Sequence, residues 1–190
     1  MTEIIEMLYA SRAAFAPVGG GGIEPEVSRI LSQSRRNNPR HNVGGVLCFR
    51  DGHFFQCLEG EAQEVESVFR KIAADPRHKD VKVLSKRTVP RRRFQSWSMK
   101  YAAVDSAISN LLQKHGQQRF NPYAFDNNLL GALVTQLHTA TDPGATPDVQ
   151  SLPTQWRNQQ SAAPILAVGA FSMAAAAMAV SLFALYRTLG

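Results

Sequence analysis

Metal-binding spacing is missing from this chain. Its two cysteines, Cys48 and Cys57, form no CxxC pair and stand in no cysteine–histidine cluster, so no metal site is expected. No internal repeat is visible, which excludes a solenoid. The first ten positions carry no basic residue. Glu3 and Glu6 stand where a secretory signal would be positive, so no such signal is expected. The thiols then read as small core hydrophobes in a reducing compartment. Charge is absent altogether from Ala162 to Tyr186. That run exceeds the roughly 20 residues that cross a bilayer.

What is present suits a folded domain with extras over 190 residues. The formal charge is +6 and the pI about 9.7, which raises nucleic acid or an anionic membrane surface. No basic motif studded with aromatics accompanies the charge. It therefore reads as solvated surface, and no nucleic-acid partner is expected.

The hydrophobic pattern yields elements in order. Residues 4 to 12 read as a strand with Met7, Tyr9 and Ser11 on one face. Gly19 to Gly22 form a loop. Residues 24 to 37 read as a helix with Val27, Ile30 and Leu31 inward, ended by Asn37-Asn38-Pro39. Val43 to Arg50 and His53 to Glu59 form a hairpin on Asp51-Gly52. Pairing Arg50 with His53 sets Cys48 opposite Phe55 and Cys57 a diagonal away, poor geometry for a disulfide. Glu61 to Ala74 is a second helix. Val81 to Val89 is a fourth strand and Trp97 to Ala103 a fifth, whose parity puts Trp97, Met99 and Tyr101 on one face. The order β-α-β-β-α-β-β makes an α+β, ferredoxin-like sandwich with both helices on one face. Helical patterns over residues 104–140 cover the other face. Residues 141–163 read as a proline-rich linker and 164–186 as a transmembrane helix.

One amide stands out. Gln56 lies in the third strand among Phe54, Phe55, Cys57 and Leu58. Burying it without partners would cost about 1–3 kcal/mol. Tyr9, Asn38, Trp97 and Met99 are expected near the same cleft. The set offers no nucleophile beside a base, no carboxylate pair and no metal ligands. It suits a flat ring with a hydrogen-bonding edge, which amides read with donors and acceptors alike. Lys71 and Arg77 offer charge for a phosphate at the mouth.

Residues 4–103 resemble the BLUF family of flavin-binding blue-light sensors. The resemblance is carried by Leu8-Tyr9-Ala10-Ser11-Arg12, Ser34-Arg35-Arg36-Asn37-Asn38, Gly44-Gly45-Val46-Leu47, Asp51-Gly52 with Phe55 to Gly60, Asp75-Pro76-Arg77-His78, and Arg93-Phe94 with Trp97-Ser98-Met99. It implies FAD as cofactor, with FMN as an alternative. It implies Tyr9 as electron donor and Gln56 as the amide between that hydroxyl and the ring's N5/O4 edge. Asn38 would bond the ring, supported by Ser34 and Asn37. Lys71 and Asp75 would line the ribityl-phosphate end, with Arg77 and His78 as more exposed candidates there. Trp97 and Met99 would relay the signal. Lys71 stands where relatives often have arginine, which forgoes the bidentate fork. The glycine loop is longer than usual for the family.

The expected function is a non-enzymatic receptor that signals through its C-terminal helices to a protein effector; the uncharged run, which lies outside the resemblance, would anchor it at the cytoplasmic face of a membrane, or leave it soluble in the cytoplasm if it does not insert. Small residues at Gly169, Ala170, Ala174 and Ala177 permit a homo-oligomer. Two alternative readings stand beside it: an acylphosphatase-like enzyme using Arg12 on a phosphate, and a light-insensitive membrane adaptor. His41, His53 and His115, lacking a partner pattern, are expected at the surface.

Overall fold

A computed structural model of the chain describes residues 3–16 and 22–142. Strands β1 (Ile4–Ala13), β2 (Gly44–Arg50), β3 (His53–Glu61), β4 (His78–Thr88) and β5 (Lys100–Tyr101) form one sheet in the order β4-β1-β3-β2-β5. Helix α1 (Pro25–Asn37) links β1 to β2, and α2 (Ala62–Ala73) links β3 to β4. β1 is antiparallel to both β3 and β4, and β2 is antiparallel to β3. This is the interleaving of two split β-α-β units. β5 adds in parallel to β2. The mixed α+β layering and element order agree with the sequence reading.

The hairpin sets the register. Asp51 and Gly52 both have positive φ, 51° and 73°, as the tightest two-residue hairpins require. Arg50 then faces His53 and Cys48 faces Phe55, as the sequence implies. On the next strand pair Tyr9 stands directly opposite Gln56. Both cysteines are buried and unpaired, and burial pushes their thiols well above the usual range.

The sheet separates two apolar layers. Beneath α1 and α2 lie Met7, Tyr9, Leu47, Phe54, Leu58 and Met99. Beneath α3 (Ser106–Lys114) and α4 (Asn127–Thr139) lie Leu8, Val46, Cys48, Phe55, Cys57 and Phe94. The helical pattern over 104–140 is thus two helices broken at residues 115–126, packed on the second face.

Three boundaries differ from the sequence reading. β4 begins at His78, three residues before Val81. β5 has only two residues, so period-2 parity does not extend to Trp97. Met99 enters the α1/α2 layer while Trp97 packs against the α3/α4 layer, on the opposite side. The expected linker also starts later than residue 141, because the Asp142 side chain is fully buried against Arg35. No helix among the described residues is long and apolar enough to cross a membrane. The expected span at 164–186, and the linker beyond residue 142, lie outside the described residues.

Candidate functional site

A cavity of about 300 Å³ opens between α1 and α2 on one sheet face. Cofactor and small-molecule sites start at about that volume. Gln56 lines it, together with Ser34, Asn37 and Asn38 from the end of α1, Lys71 from α2, and Asp75, Arg77 and His78 from the turn into β4. All seven residues expected to hold a ligand therefore share one cavity with Gln56.

Tyr9 is fully buried, and its hydroxyl donates a hydrogen bond to Gln56 Oε1. The Phe69 ring stands edge-on to it at 5.3 Å. Burial, aided by the charge of Asp75, lifts the Tyr9 hydroxyl far above the usual phenol range, so it stays a donor. The other end of the amide is held loosely. Gln56 Nε2 donates to Met99 Sδ at 3.4 Å, and a thioether is a weak acceptor. The amide thus has one strong partner and one weak one, and its weak end can change partner at small cost.

Asn38 opens a 3-10 turn, Asn38–His41, where Pro39 bars further α-helix. It is 3% exposed. Its Nδ2 donates to the carbonyl of Ser98 at 2.9 Å, beside Met99. Its Oδ1 accepts no hydrogen bond among the described residues. That turn also brings Arg40 and His41 to the cavity wall. His41 is not a bystander at the surface. Its Nδ1 lies 2.5 Å from Glu64, and Lys71 Nζ lies 3.2 Å from its Nε2. An ammonium only donates, so Nε2 accepts and the ring proton sits on Nδ1, toward Glu64.

At the mouth, Arg77 is already committed. Its Nε donates to Asp75 at 2.9 Å and its Nη2 to Gln33 at 2.7 Å. The Arg77 guanidinium in turn holds Asp75 below the usual carboxylate range. Lys71 and Arg40 are the cations better placed to take a further anion. His78 is not an exposed candidate: it is 8% exposed, and its Nδ1 lies 2.8 Å from Ser11 Oγ. The sequence placed it in a polar turn, but it is the first residue of β4 and packs on Phe54 with ring centroids 4.6 Å apart.

Burial lowers the pKa of His78 from 6.5 to about 4. In acid the unfolded chain therefore takes up this proton first. The stabilisation is complete above pH 6.5 and is lost as pH falls toward 4, by about 3 kcal/mol at most. We expect the melting temperature of the wild type to drop more between pH 7 and pH 5 than that of His78→Asn. Parallel pH profiles would show that His78 has no such role.

His53 is likewise not a surface residue. Its Nδ1 is buried without a partner among the described residues, and its ring meets Tyr123 edge-on. Trp97 lies under Lys100, whose Nζ is 5.4 Å from the ring centre. Arg12 lies within β1, exposed, 3.6 Å from Asp80 rather than on an anion-binding loop, which removes the residue the phosphate-enzyme reading needs. Glu6, Cys57 and Glu59 cluster behind the cavity, yet their partners are already chosen. Glu6 accepts from Arg87 at 2.7 Å, and Glu59 accepts from the amides of Arg93 and Phe94 at 2.6 and 2.8 Å.

A family model described as sensors of blue light using FAD, BLUF, matches residues 4–100. The antirepressor BluF of Escherichia coli K12, described as regulated by blue light and temperature, is 38% identical over 69 residues, covering 36% of this chain and 17% of that protein. The beta subunit of the photoactivated adenylate cyclase of Euglena longa is 27% identical over 113 residues, covering 60% of this chain and 13% of that protein. The chain thus spans less than a fifth of these curated relatives. Among solved structures, BlsA in its photo-activated state superposes with a TM-score of 0.68 at 31% identity, covering 75% of this chain and 99% of BlsA. The dark-state structure of BlrB gives a TM-score of 0.58 at 25% identity, covering 73% and 97%.

Proposed function

Because this chain belongs to the BLUF family of blue-light sensors using FAD, we propose that it is a blue-light receptor switched at the Tyr9–Gln56 pair. The observation that carries the reading is the line Tyr9–Gln56–Met99 beside a cavity of cofactor size.

The residues present suit a flavin. A flat, amide-edged ring needs apolar walls and matching donors and acceptors. Ile30, Val68 and Ile72 supply the walls, and Asn38 Oδ1 and the loosely held Gln56 amide supply the polar contacts. Ser34 and Asn37 support Asn38 from the same helix end. Lys71 and Arg40 would take the phosphate end, with Asp75, Arg77 and His78 shaping the mouth. FAD is the family's cofactor, and FMN would use the same phosphate contacts.

A bound flavin would supply light absorption and, once excited, an acceptor for an electron and a proton. Tyr9 is the residue placed to give both, through the hydrogen bond it donates to Gln56. Gln56 is a two-position amide. Its carbonyl accepts from Tyr9 in the arrangement described, and rotation or tautomerisation changes what its two ends offer. Met99 feels the change directly through its sulfur. Trp97, two residues away on the opposite face, feels it through the chain. Signalling then runs through β5 to α3, α4 and a protein effector. In this reading the chain is a sensor and not an enzyme. A bacterial light-regulated adenylyl cyclase shares the fold at a TM-score of 0.51 and 28% identity, with this chain covering 39% of it. We propose that here the effector is a separate protein.

The membrane anchor is proposed from the sequence alone, on the uncharged run Ala162 to Tyr186. Full-length protein should sediment with membranes, and deletion of residues 160–190 should release it. Full-length protein that stays in the supernatant without detergent would remove the anchor, and with it the proposed homo-oligomer through the small residues of that segment.

A further inference from the structure

We infer that Arg35 and Asp142 are positioning residues of the light switch, and that they tie Met99 to the segment that follows α4. The inference rests on the photosensor reading above and adds the first step of its output.

Arg35 lies on α1, in a motif whose neighbours line the cavity, yet it does not line the cavity itself. Its Nε donates to the carbonyl of Met99 at 3.0 Å, and its Nη2 donates to Asp142 Oδ2 at 2.8 Å. The same Asp142 oxygen accepts the amide of Tyr101 at 3.1 Å. Between them, Lys100 Nζ donates to the carbonyl of His138 at 2.7 Å, at the last turn of α4. Three successive residues, Met99, Lys100 and Tyr101, are thus each fastened to Arg35, to α4 or to Asp142. The Asp142 side chain is fully buried and that of Arg35 is 28% exposed.

A buried carboxylate held by donors from α1 and β5 has few alternative positions, because separating it from them weakens the pairing of a charge out of water. Met99 is also the residue whose sulfur holds the Gln56 amide. A change of partner at Gln56 that shifts Met99 must therefore move its carbonyl against Arg35, and Arg35 against Asp142. The reverse also holds by linkage: a firmly held Asp142 favours the arrangement with Met99 at Gln56. Asp142 lies three residues beyond the end of α4, so this pair is where a rearranged amide first acts on the α4 end of the domain.

The test uses full-length protein loaded with FAD. Asp142→Asn and Arg35→Gln should each keep the flavin and the full red shift, while the lit state decays about tenfold more slowly, since the pull returning Met99 is gone. The double variant should slow by the same factor as either single one. A full red shift with unchanged or faster decay in both variants would overturn the coupling, as would factors that multiply in the double variant. A second measurement needs no variant: the Tyr101 amide should exchange its hydrogen faster in the light than in the dark, and equal rates would overturn the coupling. A wild type without any red shift would instead overturn the photosensor reading, and this coupling with it.

Discussion

Replacing Gln56 with leucine should leave the protein yellow and remove its light response. Leucine fills nearly the same space but offers neither donor nor acceptor. The other contacts proposed for the ring and phosphate, from Asn38, Lys71 and Arg40, would be untouched, so FAD should stay bound. The link from Tyr9 to the cavity is gone, and so is the sulfur contact to Met99. The red shift should be absent, not merely reduced. The Tyr9 hydroxyl, fully buried, is left without its acceptor. That costs about 1–3 kcal/mol, visible as a melting temperature several degrees lower. Two readouts therefore come from one substitution: absorption difference spectra report the switch and thermal unfolding reports the orphaned hydroxyl. A leucine variant with a normal red shift would show that the amide is a core contact only.

Gly45→Ala should do the greatest damage to the fold. β2 and β3 pair so that Gly45 faces Leu58, and a Cβ on Gly45 would lie 1.9 Å from the carbonyl oxygen of Cys57. That oxygen is main chain in a central strand, so no side chain can turn aside. The neighbouring Gly44 is closed in likewise, by the carbonyls of Phe94 and Trp97 at 2.7 and 2.8 Å. The glycine pair is what lets the 94–97 segment lie on the sheet, where Gly45 N donates to the carbonyl of Trp97 at 3.3 Å. We expect a loss of at least about 3 kcal/mol, in the tail of single-substitution effects, and weakened flavin retention because Met99 follows that segment. Gly131→Ala is the matched control. Gly131 is inside α4 with open space around it, so alanine should stabilise by about 0.5–1 kcal/mol. Equal melting temperatures for wild type and Gly45→Ala would contradict the close approach of the strands.

The layers and the centre of the site were legible because local signals agreed with the fold. Asp51-Gly52 fixed one hairpin, and strand parity then carried Phe54, Gln56 and Leu58 to the face that Tyr9 occupies. The helix stop at Asn37-Asn38-Pro39 put Asn38 beside that face. What escaped depended on contacts far apart in sequence. The Trp97–Met99 parity failed because the fifth strand shrinks to two residues, and a bend does not alternate. His41 looked partnerless because Lys71 and Glu64 come to it from another helix. His78 looked exposed because its burial depends on Ser11 and Phe54 across the sheet. Asp142 looked like part of a linker, since partners far away in sequence, Arg35 at 107 positions and Tyr101 at 41, give it a place in the domain. The resemblance to BLUF proteins supplied the expected site residues. The structure added how they are held: a strong bond to one end of Gln56, a weak one to the other, and a mouth where Arg77 is bound to Asp75 and Gln33 while Lys71, bonded to His41, keeps ammonium donors to spare.

The central claim is that blue light rearranges the Gln56 amide against a bound flavin. A light-minus-dark absorption spectrum of the purified protein loaded with FAD tests it most directly. A red-shifted flavin band that returns fully in darkness is the predicted result. A protein that binds no flavin, or a bound flavin whose band stays in place under blue light, would contradict it.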